Sequence, residues 1–74
     1  MDIEVRLFAA LQQGRFRRKG LELPDGSTVD DVCRRLAIGA DEAAILMVNG
    51  SAARRDHPLK PGDAVSLFPA IGGG

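Results

Sequence analysis

The chain has 74 residues, 45% of them hydrophobic, and its ten basic and ten acidic side chains cancel to a formal net charge of zero. That length suits one small domain with one core, and the charge balance speaks against a dedicated nucleic-acid binder. The single cysteine excludes an internal disulfide. Cys33, His57 and the scattered carboxylates have no metal-ligand spacing. With no apolar leader and no long apolar run, the expectation is a cytoplasmic protein, off the membrane, resting on packing and backbone pairing alone.

The first segment, DIEVRLF, alternates: Ile3, Val5 and Leu7 share one face, and Glu4, Arg6 and Phe8 the other. Period-two alternation predicts a half-buried strand. AALQQGR breaks the pattern and reads as a turn or short helical loop. RFRRKGLEL alternates again through Leu21 and Leu23, although Gly20 weakens it, so the two segments form a candidate hairpin. Its basic stretch, Arg15 to Lys19, reads as a solvated edge that discourages strand-to-strand aggregation. Eight of the ten basic residues are arginines, which suit paired contacts with carboxylates or phosphates.

The turn cluster PDGST leads into VDDVCRRLAI, where Val29, Val32, Cys33 and Leu36 fall on one helical stripe. Thr28 is placed to cap the helix, Asp31 to complete a capping box, and Gly39 to end it. AAILMVNG reads as a buried strand closing on an Asn-Gly turn. SAARRDHPLKPGD is irregular. In AVSLFPAI, Val65 and Leu67 point inward and Ser66 and Phe68 outward, and Pro69 ends regular pairing. The order is strand, strand, helix, strand, strand: an α+β domain over residues 1–71, with a glycine tail at 72–74. If the first and last strands lie side by side, this is a ubiquitin-like β-grasp, a small mixed sheet with one main helix on one face.

That arrangement leaves Phe8 and Phe68 on the same solvent face of neighbouring strands. An apolar patch there marks an interaction site. No catalytic set is visible. Cys33 lies on the apolar stripe and reads as core rather than nucleophile, and His57 has no Ser or Cys partner. Gly72, Gly73 and Gly74 are no phosphate loop, because no helix follows them. A terminal carboxylate can be activated as an acyl adenylate, and a tail without side chains suits a narrow enclosing site. On chemistry alone, a frayed end accounts for these glycines equally well.

DHPLKPGDAVSLFPAIGGG resembles the C-terminal segment of the small subunit of molybdopterin synthase. VRLFAAL resembles the first strand of the same family. LPDGSTVDDVCRRL followed by VNG is similar both to that family and to the thiamine-pathway sulfur carrier. The resemblance covers nearly the whole chain. It implies a β-grasp sulfur carrier with no cofactor of its own. A partner adenylyltransferase, related to ubiquitin-activating enzymes and using ATP and magnesium, would adenylate Gly74, which then becomes a thiocarboxylate. Gly73 and Gly72 would enter the partner's tunnel, and Phe8 and Phe68 match hydrophobic partner contacts. The large subunit of molybdopterin synthase would receive the sulfur, and thiazole synthase would do so in the thiamine variant. The third apolar contact position of the family falls near Ala52. The compact length is nearer the thiamine carrier, whereas Phe68-Pro69 favours the molybdopterin branch. Further alternatives are a ubiquitin-like modifier acting through Gly74 and a plain interaction module.

Overall fold

The structure, a computed structural model, describes residues 1–70. Five strands form one mixed sheet: β1 (Asp2–Leu7), β2 (Arg18–Glu22), β3 (Ala43–Val48), β4 (Ser51–Ala52) and β5 (Ala64–Pro69), in the order β2-β1-β5-β3-β4. β1 runs antiparallel to β2 and parallel to β5, with Val5 opposite Val65 and Leu7 opposite Leu67. The first and last strands therefore lie side by side at the sheet centre, as the ubiquitin-like β-grasp requires. One helix, α1 (Val29–Arg35), supplies the apolar stripe expected of it.

The core follows the alternation. Ile3, Val5 and Leu7 of β1, Val65 and Leu67 of β5, and Val29, Val32 and Cys33 of α1 are all buried. Leu11 joins them from a 3₁₀ turn at Ala9–Gln12, the short helical loop read from AALQQGR. Burial pushes the Cys33 thiol above its ordinary pKa, against a smaller opposing effect of Arg55. Cys33 is thus a core residue and a poor nucleophile.

The expected capping box is present. The Thr28 hydroxyl accepts a hydrogen bond from the Asp31 amide at 3.4 Å, and the Thr28 amide donates to Asp31 Oδ2 at 2.8 Å. Thr28→Ala is expected to cost about 1 kcal/mol. In urea this should lower the unfolding midpoint with the slope unchanged; an unmoved midpoint would show that the cap contributes nothing.

Gly39 does not end the helix. The last turn closes at Arg35, and Ala37 takes the left-handed conformation, φ 56. The Ile38 amide donates to Cys33 O at 2.8 Å and the Ala37 amide to Arg34 O at 3.1 Å, a Schellman motif with alanine where glycine is usual. The reversal drops Ile38 into the core. The Arg15 guanidinium donates to Leu36 O and Ala37 O, both at 3.4 Å, so a cation from the hairpin sits where the helix dipole favours one.

Two strand assignments also shift. The irregular stretch after the Asn49-Gly50 turn opens with β4, a two-residue edge strand. Pro69 does not end pairing: it remains in β5, opposite Ala43. The start of β5 is held by polar contacts. Asp63 accepts from the Lys60 amide at 2.8 Å and from Asn49 Nδ2 at 2.9 Å, and these bonds lower its carboxyl pKa. Asn49 Oδ1 in turn accepts from the Ala64 amide at 2.9 Å.

Candidate docking surface

The helix covers one face of the sheet, so every second residue of the central strands is left on the other. At the end of β1, the Phe8 amide donates to Leu67 O at 3.2 Å, extending the pairing with β5 one residue past the strand. Ala9 then takes a positive φ of 51 and turns the chain into the 3₁₀ segment, where Leu11 is buried. The turn leaves Phe8 facing outward beside Phe68. Their rings stack with centroids 4.2 Å apart and planes 11° from parallel. The two aromatics expected on one face are thus in direct contact.

A third apolar residue completes the row. Ile45 on β3 lies opposite Phe68 in the register and is 44% exposed, more than the 37% of Phe8. The sequence places Ile45 in a buried strand. In fact β3 is half-exposed, with Ala43, Leu46 and Val48 inward, and a register irregularity between Ala43 and Ile45 turns Ala44 and Ile45 out. A continuous apolar run carries no period that could have shown this; only the pairing with Phe68 does. Ala52, by contrast, pairs with Met47 on the far edge of the sheet and lies outside this row. Phe8 just past β1, the half-buried Phe68 of β5 and the exposed Ile45 of β3 therefore form one apolar row across the three central strands.

The remaining expected site residues are Gly72, Gly73 and Gly74, and they lie outside the described residues. In the sequence they follow β5 within five residues of its end. His57 is exposed on the loop before Pro58 and serves through its backbone, accepting from the Val29 amide at 3.1 Å. Among the described residues, no helix is long and apolar enough to cross a membrane.

A model of the ThiS family matches residues 5–74. The chain belongs to the ThiS family. Solved structures share its fold over 95% or more of the chain. One is a putative molybdopterin converting factor subunit 1 from Pyrococcus furiosus, 25% identical, TM-score 0.76, covering 96% of this chain and 99% of that one. Another is small archaeal modifier protein 1 of Haloferax volcanii, 23% identical, TM-score 0.77, covering 95% and 98%. A third is the complex of subunits 1 and 2 of the molybdopterin-converting factor of Helicobacter pylori, 21% identical, TM-score 0.69, covering 100% of both chains. Family and fold together make this ThiS-family chain a ubiquitin-like β-grasp protein of the sulfur-carrier kind, as its motifs implied.

Proposed function

We propose that this chain carries sulfur on Gly74 for molybdopterin synthesis, as the small subunit of molybdopterin synthase. The observation that carries the reading is the Phe8–Phe68 stack, 4.2 Å between centroids, set on the strand that leads into Ile71-Gly72-Gly73-Gly74. From Phe68 to Gly74 is six residues, which span at most about 20 Å when extended. A partner seated on the aromatic row can therefore hold the glycine carboxylate in its own reaction pocket. The likeness to a putative converting-factor subunit 1 at 25% identity supports the same reading.

The chemistry falls to partners. In an adenylyltransferase, the Gly74 carboxylate attacks the α-phosphorus of ATP and pyrophosphate leaves. A sulfur nucleophile then displaces AMP, and the product is a thiocarboxylate. In a large synthase subunit the thiocarboxylate sulfur bonds to the acceptor, and water then cleaves the acyl–sulfur bond, which leaves the sulfur on the acceptor and restores the Gly74 carboxylate for another round. This chain contributes docking area and a tail without side chains, so neighbouring groups can close on the carboxylate and exclude water.

The compact chain favours a second reading, in which the thiocarboxylate goes to a thiazole synthase. The fold shared with an archaeal modifier protein raises a third, in which a lysine amine attacks the adenylate. With Lys19 and Lys60 alone, the chain has few acceptors for building on itself. The deciding measurement is the intact mass of the protein from its native cells, and again after incubation with the activating enzyme, ATP and a sulfide source. One sulfur-for-oxygen exchange mapped to Gly74 is the expected result. A plain carboxylate after that incubation refutes the carrier reading, and a Gly-Gly remnant on cellular lysines would move the assignment to a modifier.

A further inference from the structure

The hairpin beside the aromatic row carries an uneven charge. At one end the cross-strand pair is Asp2 opposite Glu22; at the other it is Arg6 opposite Arg18. Like charges directly opposite each other destabilise a sheet. Glu4 relieves part of this cost: its Oε2 accepts from Arg6 at 2.9 Å, and its Oε1 lies 2.7 Å from Arg18 Nε. Arg17 adds a third guanidinium, with no carboxylate in ion-pair contact among the described residues. Arg6, Arg17 and Arg18 line one open groove together with Phe8 and Gln12. Arg6 and Arg18 share the Glu4 carboxylate and Arg17 has none in contact, so the groove keeps a net positive charge and opens onto the exposed ring of Phe8.

Protection of an edge strand explains Arg17 and Lys19, which belong to the outer side of the sheet. It does not explain Arg6, which sits on β1, between β2 and β5. Nor does it explain why the basic end of the hairpin, and not the acidic end, adjoins Phe8. Arginine beside exposed aromatics is the composition of a protein-binding surface, and a planar guanidinium fork matches a carboxylate.

We infer that the Arg6–Arg17–Arg18 groove receives acidic side chains of the activating adenylyltransferase, next to the face of that partner which covers Phe8 and Phe68. This rests on the function proposed above and uses only the partner that all three of its readings require. The aromatic row supplies buried area; the groove supplies charge complementarity, which speeds encounter and fixes orientation.

The test measures the dissociation constant of the full chain with its host adenylyltransferase at about 0.05 M and about 0.5 M sodium chloride, where screening is weak and strong respectively. Arg17→Glu should weaken binding about tenfold at low salt and flatten the salt dependence, as loss of a rim charge contact does. Lys19→Glu, on the same edge but outside the groove, should bind as the unaltered chain does. Phe68→Ala should weaken binding to a similar degree at both salt concentrations. Equal affinity and equal salt response for Arg17→Glu and the unaltered chain would overturn the groove while leaving the aromatic row standing. Equal losses in Arg17→Glu and Lys19→Glu would assign the effect to general edge charge and also overturn it. Salt-sensitive self-association of the chain alone, lost in Arg17→Glu, would make a second copy the occupant instead. If the unaltered chain does not bind the adenylyltransferase at all, the proposed function falls together with the groove.

Discussion

Removal of Gly74 is expected to cut adenylation of the chain by at least about a hundredfold, since misplacement of a reacting group by even 1 Å can cost that much. One extended residue spans roughly 3.3–3.6 Å. A chain shortened by one glycine therefore either withdraws its carboxylate by that distance or drags the docked domain off its partner. The loss should appear in the activation rate and not in the fold, because the whole core cluster lies between Ile3 and Leu67. The measurement is single-turnover formation of the adenylate, paired with a thermal melt. A shortened chain that is adenylated at the full rate would sink the assignment of Gly74, and a lowered melting temperature would point to a structural role.

Leu67→Ala has the largest expected effect on stability. Leu67 is 0% exposed and lies on β5 between Leu7 of β1 and Leu46 of β3. Truncating a leucine in such a place costs about 3 kcal/mol, from lost transfer energy and the cavity left behind. A domain of this size has only about 4 to 11 kcal/mol in all, so the variant should melt roughly 15 °C lower or unfold outright. A drop of under about 1 kcal/mol would mean that neighbouring side chains collapse into the space. Ile45, at 44% exposure, provides the contrast: Ile45→Ser should change stability little and act on docking.

Much of the fold was legible because its signals are local. Alternation in DIEVRLF and AVSLFP carries the inward set of the two central strands. The spacing of Val29, Val32 and Cys33, with Thr28 and Asp31, carries the helix and its cap. Gly39 misled because the helix end is not decided locally. Burial of Ile38 forces the reversal two residues earlier, at Ala37, and Arg15 from a distant hairpin satisfies the exposed carbonyls. Ile45 was hidden for a related reason: an apolar run looks the same whether one face or both are covered.

The sequence alone determined the class of the domain, its apolar faces, and Phe8 and Phe68 as the aromatics of the outer face, the first exposed and the second half-buried, because each depends on periodicity within one segment. Its motifs also pointed to the ThiS family that the chain belongs to. Only the tertiary structure decided that the two rings stack, that Ile45 extends their row, that β4 exists and that Arg6 and Arg17 meet in one groove. These facts depend on strand order and register, which bring together residues far apart in the chain and leave no trace in the period of either segment.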